Sequence, residues 1–356
     1  MNIWQRFKSS SRYIRLTQWE YWPAKLFYWP MYFYIPWLQL KSLNLVFFTA
    51  TNPGLDTGGI GLESKYDTLQ KLPQELCPKT ILFKRGDNLK QLGQLLNDHQ
   101  IHYPLIAKPD LGYRGFLVKK INSEKDLHQL LSKYQLDFII QELVDEMEEF
   151  GVFYIRNPHE ATGKVTSLTL KNFLHVTGDG QSTIQRLMEQ KPRALLQLPV
   201  WKETQPELLK TIPSNGTRVP LGIIGNHSKG THFINGEELI DQELVQTFDR
   251  ISKRIEGFYY GRYDIKCPSL EDLKQGKNII IIELNGTCSE PTHIYDANKM
   301  TYLGAVWEII RYWQTIYKIS VANRKQGIPF QSQREIGRRF LDLRQYFIAV
   351  ERMENE

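Results

Sequence analysis

Cysteine is scarce in this sequence. The 356 residues include three cysteines, Cys77, Cys267 and Cys288, and no Cys-x-x-Cys pattern joins any of them. Scattered cysteines of odd number neither form a disulfide framework nor supply the paired ligands of a zinc site. We therefore expect a protein of the reducing cytoplasm.

The sequence also lacks an uncharged run long enough to cross a membrane. The aromatic run between Lys25 and Lys41 spans about 15 residues, fewer than the roughly 20 that a membrane-spanning helix needs. Pro30 and Pro36 interrupt it, and no signal-peptide cleavage site follows. Two interpretations stay open for residues 1–42, an aromatic and basic arm. The arm either contacts the inner face of an anionic membrane or packs on the protein's own core or on the second subunit of a homodimer.

Two common nucleotide-binding loops are missing. Neither G-x-x-x-x-G-K-[ST] nor a G-x-G-x-x-G after a strand occurs, which excludes a Walker loop and a Rossmann fingerprint. No Ser-His-Asp arrangement for nucleophilic catalysis is recognisable either. The net charge of +6 suits a phosphate-bearing ligand. Because no nucleic-acid-binding motif accompanies this charge, we do not expect nucleic acid as a partner.

Two strand-like segments near the C-terminus carry closely spaced polar residues. The segments are FYYGRYDIKC at 258–267 and NIIIIELNG at 278–286. Residues i and i+2 of a strand share a face, so Arg262 projects with Asp264, and Glu283 projects with Asn285. If the strands pair, Asp264, Glu283 and Asn285 present hard oxygen atoms, the ligands that magnesium prefers. The pattern predicts a metal site with an arginine beside it, suited to phosphoryl transfer.

A second group of residues has the chemistry of a nucleotide site. Its members are Lys65, Lys108, Gly112, Tyr113, Arg114, Gly115, Gln141, Glu142, Leu143, Val144, Glu149 and Lys171. Lys108 ends a strand and precedes a glycine-bearing loop that can cover phosphates, and the strand end at 141–144 can meet an adenine edge. Each residue also has an ordinary interpretation as a hairpin turn, a solvated acid or a surface lysine. The prediction therefore rests on their order and combination.

The order of the predicted elements indicates several lobes of mixed helix and strand. We expect the arm at 1–42, a short N-terminal α/β lobe at 43–104, a small lobe with the phosphate loop at 105–145, a large lobe with the metal site at 146–325, and a C-terminal helix at 326–356. The apolar run at 43–50 predicts a buried strand that ends at a Pro-Gly turn.

From about residue 64 to 302 the chain resembles the ATP-grasp superfamily of carboxylate-amine ligases. Arg262, Asp264, Glu283 and Asn285 are similar to the arginine and metal ligands of D-alanine:D-alanine ligases, and the loop at 286–291 stands where their substrate loop follows. Lys65 and Lys108 resemble the two nucleotide lysines, and Glu142 and Glu149 resemble the hinge and ribose acids. The stretch HVTGDGQSTI at 175–184 is more similar to cyanophycin synthetases and glutathione synthetases.

The resemblance implies an α/β fold of the ATP-grasp type, with a nucleotide bound between two α+β lobes. It implies ATP with Mg²⁺ or Mn²⁺, small-molecule carboxylate and amine substrates, and amide bond formation through an acylphosphate with release of ADP. Arg262 and Lys108 would be the catalytic residues. Two alternatives stay open: an ATP-grasp kinase that phosphorylates a small-molecule hydroxyl, and a membrane-associated ATP-binding scaffold without turnover.

Overall fold

Polar residues with short side chains begin many of the helices. A computed structural model describes residues 10–112, 115–144, 147–222 and 225–355. Ser64, Ser123, Thr183, Asp241 and Ser269 each accept a hydrogen bond from a backbone N–H of the helix they precede, which satisfies donors that a helix start leaves open. The helices are α1 (Ser11–Thr17), α2 (Ala24–Phe27), α3 (Met31–Ser42), α4 (Lys65–Gln70), α5 (Leu92–Asp98), α6 (Glu124–Lys133), α7 (Ile184–Gln190), α8 (Pro192–Thr204), α9 (Gln242–Lys253), α10 (Leu270–Gln275), α11 (Tyr302–Lys325) and α12 (Gln333–Asn355).

The strands are β1 (Thr80–Phe83), β2 (Leu105–Pro109), β3 (Lys119–Ile121), β4 (Phe138–Glu142), β5 (Glu148–Ile155), β6 (Lys164–Asn172), β7 (His175–Thr177), β8 (Arg218–Pro220), β9 (His232–Asn235), β10 (Tyr260–Cys267) and β11 (Ile280–Asn285). Short 3₁₀ helices lie at Trp19–Tyr21, Phe47–Ala50, Asp56–Gly58, Gln74–Leu76, Leu89–Gln91, Leu208–Lys210, His227–Lys229, Glu237–Leu239 and Thr292–Tyr295. Helices and antiparallel sheets together confirm the α+β class expected from the sequence.

The chain folds into two compact units. The larger unit comprises Phe33–Leu168, Gly236–Pro291 and Ile309–Glu356, and the smaller comprises Met1–Tyr32, Thr169–Asn235 and Thr292–Glu308. Each unit therefore draws on three separated stretches of sequence.

One sheet of the larger unit has the strand order β1-β4-β2-β3 and is antiparallel. Its core includes Leu92, Leu127 and Phe138, all completely buried. Val350 of α12 is buried in the same core, whereas Ile336 of α12 packs in the core around Phe153. The C-terminal helix thus stabilises two cores of the larger unit.

A second sheet of the larger unit follows the order β11-β10-β5-β6, with antiparallel pairing on both sides of β10. Tyr263, Ile265 and Cys267 alternate along β10 and are completely buried. Tyr263 packs against Phe248 of α9 and shares a hydrogen bond with Ser252. Because side chains alternate along a strand, Arg262 and Asp264 lie on the opposite face. The burial of one face by α9 therefore determines which face is left for polar residues.

In the smaller unit, residues of α7 and α8 pack with Leu174 and Val176 in one core. The end of β6 pairs with β9, and β7 pairs with β8. The described part of the arm belongs to this unit up to Tyr32, and its Ile14, Phe27 and Met31 are buried. Glu20 of the arm forms an ion pair with Arg193 and a hydrogen bond with His227 of this unit. Residues 10–32 therefore pack on the protein itself.

The strand predicted at 43–50 is wrong. The structure has a 3₁₀ helix at Phe47–Ala50, preceded by Leu43 in the left-handed region. All four residues of the 3₁₀ helix are buried, and Ser320 and Asn323 of α11 donate hydrogen bonds to the carbonyls of Phe47 and Ala50. A continuous apolar run does not distinguish a strand from a buried helical turn, so tertiary packing decided the outcome.

Among the helices of the described residues, none combines the length and the apolar composition that crossing a bilayer requires.

Candidate functional site

The strands β10 and β11 form the centre of the candidate site. They pair antiparallel, with Arg262 opposite Asn285 and Asp264 opposite Glu283. The register shifts between Asp264 and Ile265, where β11 has one additional residue. Directly opposite residues have their side chains on the same face. The predicted pairing therefore exists, and it brings all four polar side chains together.

Asp264 is the most enclosed acid of this group. It is 5% exposed, and Arg262 donates to both of its oxygens, from Nε to Oδ1 and from Nη2 to Oδ2, each at 3.1 Å. Asn285 donates its Nδ2 to the same Oδ2 at 3.1 Å. Burial disfavours the charged guanidinium, but the neighbouring Asp264 outweighs it and raises the pKa of Arg262. Arg262 and Asp264 therefore form a bidentate ion pair.

Two lysines from other elements converge on β11. Lys65 of α4 lies 3.4 Å from Oε1 of Glu283 and also donates to the carbonyl of Gly112. Lys108 of β2 donates to the carbonyl of Ile282 at 3.2 Å and to Oε1 of Gln141 at 3.4 Å. Both lysines thus point their charges at the strand that carries Glu283.

The pKa values in this cluster reflect burial and charge in competition. Burial raises the pKa of Glu283, but the charges of Lys65 and Lys108 outweigh it, and the net pKa is lowered. Burial lowers the pKa of Lys108, against the attraction of Glu283. Burial disfavours the charged form of a side chain, and a nearby opposite charge stabilises that form. An anion bound beside Lys108 would therefore stabilise its ammonium group.

Asp110 orients Lys65, and sequence reasoning missed it. Its Oδ1 accepts hydrogen bonds from Ser64 Oγ at 3.0 Å and from Tyr66 N at 2.9 Å. Its carbonyl accepts from Lys65 N at 3.3 Å. Asp110 is 6% exposed, and burial raises its pKa. Asp110 follows β2, the strand of Lys108, and so ties the start of α4 to that strand. Its position two residues after Lys108 is the signal that could have identified it.

Glu149 has a cationic partner that the sequence reasoning did not include. It lies on β5 opposite Lys266 of β10, and the two charged groups are 3.8 Å apart. Lys266 continues the period-two series of Arg262 and Asp264, a pattern visible in the sequence. The polar face of this sheet thus carries Glu149 in addition to Asp264 and Glu283.

The proposed adenine-binding segment lies at the end of β4. Gln141 donates to Thr80 Oγ1 at 2.9 Å, in addition to accepting from Lys108. Glu142 accepts a hydrogen bond from Lys79 N at 2.8 Å. Leu143 and Val144 follow the strand and are half-buried. Gln141 is therefore hydrogen-bonded to Lys108, whereas Glu142 accepts from the backbone at the start of the neighbouring strand β1.

The glycine loop after β2 is described in part. Gly112 accepts from Lys65, and Gly115 has a positive φ of 71°, which a residue with a side chain rarely adopts. Tyr113 and Arg114 lie outside the described residues. Lys171 belongs to the smaller unit, where it is buried and its Nζ lies 5.8 Å from the ring centre of Phe233.

The loop after β11 packs on a second glycine loop that was not predicted to take part. Thr287 N donates to the carbonyl of Gly58 at 3.2 Å, and Cys288 N donates to the carbonyl of Gly59 at 2.9 Å. A Cβ at Gly59 would lie 2.6 Å from Cα of Gly286, so the two loops approach at a distance that only glycine permits. Arg262 Nη1 donates to the carbonyl of Glu290 at 3.1 Å. The loop at 286–290 is therefore held at both ends.

The oxygen atoms on the paired strands β10 and β11 are of the type that a hard divalent cation binds. Two carboxylates and one amide supply oxygen atoms, and these three residues lie at opposed or alternating positions of β10 and β11. In the described part of the chain, no group of three or more His, Cys, Asp and Glu side chains is arranged to hold a metal ion. The site thus offers two carboxylates, and an amide is its third oxygen donor.

Solved structures that match the chain include ligases and a synthetase. No protein-family model and no curated protein matches it. A bifunctional glutathione synthetase from Pasteurella multocida is 15% identical, with a TM-score of 0.37 over 69% of this chain and 35% of that chain. A D-alanine-D-alanine ligase from Coxiella burnetii is 10% identical, with a TM-score of 0.41 over 82% and 64% of the two chains. The VanG D-Ala:D-Ser ligase from Enterococcus faecalis is 12% identical, with a TM-score of 0.41 over 73% and 64%.

The chain spans less than two thirds of the length of these three proteins.

Proposed function

We propose that the protein is an ATP-dependent ligase that joins a small-molecule carboxylate to an amine through an acylphosphate. The observation that carries the proposal is the convergence on β11. Asp264 and Glu283 stand opposite each other on paired strands, and Lys65 and Lys108 reach the same strand from other elements. Carboxylates for a metal beside cations for phosphates are what transfer of a terminal phosphoryl group requires.

The cations are the first part of the argument. Lys65 lies 3.4 Å from Glu283, Lys108 binds the carbonyl of the preceding Ile282, and Arg262 stands opposite Asn285. A triphosphate brings several negative charges, which these cations would neutralise. Gln141, joined to Lys108 by a hydrogen bond, would place the adenine-binding strand end beside the phosphates. Glu149 would accept from ribose hydroxyls.

The metal ligands in this proposal are Asp264, Glu283 and Asn285. Mg²⁺ or Mn²⁺, when bound, would neutralise phosphate oxygens and fix their orientation. Asn285 presents its Nδ2 to Asp264 in the structure, so ligation through Oδ1 requires rotation of its amide. Lys65 and Lys108 lower the pKa of Glu283, which favours the ionised form that metal ligation requires.

The reaction needs no nucleophile from the protein. An oxygen of the substrate carboxylate attacks the γ-phosphorus of ATP, and the bond from that phosphorus to the ADP oxygen breaks. The amine then attacks the acyl carbon, loses a proton, and phosphate leaves. Arg262, held by Asp264 and the Glu290 carbonyl, would stabilise the negative charge on the transferred group and on the tetrahedral adduct. Lys108 would stabilise charge on the transferred phosphoryl group.

The test is a screen for the reaction itself. The purified protein is incubated with ATP and Mg²⁺ and with pools of amino acids, dipeptides and amines, and phosphate release is measured. Hydroxylamine is added in parallel, because it converts an acylphosphate to a stable hydroxamate. We expect phosphate release that depends on a carboxylate, and a hydroxamate of that carboxylate.

The outcome separates the alternatives. ADP formation with a hydroxyl compound alone, together with a phosphorylated product, would identify a kinase and refute the ligase. ATP binding without turnover, whichever pool of compounds is added, would favour an ATP-binding scaffold over an enzyme.

A further inference from the structure

Large apolar side chains are exposed at the end of α3 and in the segment that follows. Trp37 is 49% exposed, Leu40 75%, Leu43 91% and Leu45 58%. Leu38, on another side of the helix, is 1% exposed and packs in the core. This part of the chain is thus apolar both toward the protein and toward solvent.

An apolar groove continues this surface. It has a volume of about 400 Å³ and is lined mainly by Leu45, Val46, Phe48, Ile60, Ile336 and Phe340. Gln39 of α3 also lines it, and Phe340 of α12 is 44% exposed. We call Trp37, Leu40, Leu43, Leu45 and Phe340 the docking surface.

A basic residue stands at the edge of the docking surface. From residue 33 to residue 55 the chain contains Lys41 and no acidic residue. Lys41 Nζ lies 5.1 Å from the ring centre of Trp37. The segment that carries most of the docking surface is therefore basic.

We propose that the docking surface binds the surface of a membrane rich in anionic lipid. Tryptophan favours the boundary between headgroups and acyl chains, where a lysine beside it can meet lipid phosphates. The exposed leucines would enter the acyl region, and Lys41 supplies attraction to anionic headgroups.

The test uses the full chain and lipid vesicles. Vesicles of phosphatidylcholine alone are compared with vesicles made of equal amounts of phosphatidylcholine and phosphatidylglycerol. The bound protein is measured by sedimentation. We expect binding to the anionic vesicles that weakens as salt is added. The double variant Leu40→Ser/Leu43→Ser should bind at least about tenfold more weakly, since two leucines no longer leave water. Lys41→Gln should weaken binding about fivefold, the effect of one basic residue near an anionic surface.

The matched control is Val200→Ser/Ile212→Ser, which also removes two exposed apolar side chains, of 54% and 55% exposure, from elsewhere. It should bind like the parent chain. Circular dichroism and thermal unfolding of each variant show that the fold is retained, whether or not the chain binds ATP.

Three results would overturn the proposal. They are absence of binding to anionic vesicles, equal loss in the control variant, and a concentration-dependent dimer that Leu40→Ser/Leu43→Ser abolishes while vesicle binding stays unchanged. The proposal does not depend on the ligase reaction, so the two can fail separately.

Discussion

Most of the side-chain N–H groups of Arg262 donate hydrogen bonds to acceptors within the protein. Nε and Nη2 bind Asp264, and Nη1 binds the carbonyl of Glu290. Its side chain is 16% exposed, so the guanidinium is fixed before any ligand arrives. A fixed donor stabilises developing charge without reorganisation at the moment of reaction.

Removal of this guanidinium should slow the reaction much more than it weakens ATP binding. For Arg262→Ala we expect turnover to fall roughly a hundred- to a thousandfold, the usual effect of losing one charge-stabilising donor. Arg262→Lys keeps a charge but loses the bidentate geometry, and should recover turnover in part. Rates and KM for ATP are measured by phosphate release.

Arg254→Ala is the matched control for this prediction. Arg254 forms an exposed ion pair with Glu75 at 2.6 Å, and such surface pairs contribute little. Its turnover should equal that of the parent chain. Turnover of Arg262→Ala close to that of the parent chain would remove Arg262 from the mechanism.

Glu283 should make the stability of the protein depend on pH. Lys65 and Lys108 overcome the effect of burial and lower its pKa below the ordinary value of 4.5. A carboxyl with a lowered pKa stabilises the fold fully above its unfolded pKa, and this contribution is lost as pH falls through the lower, folded pKa. Glu283→Gln should therefore be less stable than the parent chain at neutral pH, with a difference that shrinks at pH below 4.5.

Urea unfolding of both proteins over a range of pH measures the difference. Glu148→Gln, at an exposed position of β5, serves as control and should show no such trend. A difference between Glu283→Gln and the parent chain that is constant with pH would contradict the assigned ion pairs.

Period-two spacing correctly placed Arg262, Asp264, Glu283 and Asn285 on one face, because a strand leaves only two faces for its side chains. The same spacing contained Lys266, which was overlooked. Asp110 has the same period-two spacing from Lys108, but its role could not be predicted in full, because its partners Ser64 and Tyr66 lie more than forty residues earlier in the chain. The linear sequence does not report such a contact.

At the scale of elements, the start of α4 links helix stability to the site. Ser64 caps α4 by accepting from Asp67 N, and its hydroxyl also donates to Asp110. The first residue of this helix is Lys65, which contacts Glu283. The cap therefore holds a candidate nucleotide lysine in position.

Two serine caps provide a matched pair of variants. Ser123 caps α6 in the same way, through Asp126 N. Ser64→Ala and Ser123→Ala should each cost about 1 kcal/mol of stability, the usual value of an N-cap bond. Only Ser64→Ala should weaken ATP binding, since only its helix carries Lys65. Thermal unfolding measures the first effect and titration with ATP the second; equal ATP affinity in both variants would show that the cap does not position Lys65.

Element boundaries were predictable where local signals are strong. The strand-like segments at 258–267 and 278–286 contain β10 and β11. The run at 43–50 was misassigned, because contacts to Ser320 and Asn323 of α11 determine its conformation. Those partners lie about 270 residues later and leave no mark in the local pattern.

For the whole molecule, ligand binding should raise the temperature of unfolding. ATP with Mg²⁺ at about a hundred times its Kd stabilises a binding-competent fold by about 2.7 kcal/mol, which corresponds to an increase of a few degrees in Tm. ATP without the metal should give a smaller increase, because the ion shields the phosphates from Asp264 and Glu283. The measurement is calorimetry or dye-based thermal unfolding.

Lys108→Ala should lose most of this increase, whereas Lys84→Ala, an exposed lysine after β1, should keep it. An equal increase in both variants would show that ATP binds without Lys108.

The sequence by itself determined the α+β class, the polar face of β10 and β11, and the kinds of atoms that this face offers, because strand and helix periodicity and side-chain chemistry are local properties. Only the tertiary structure decided that Lys65 and Lys108 reach Glu283 and Ile282, that Asp110 orients the first lysine, and that residues 47–50 turn into a helix. These outcomes depend on contacts between segments far apart in the chain, each made where burial leaves a charge or a backbone group in need of a partner.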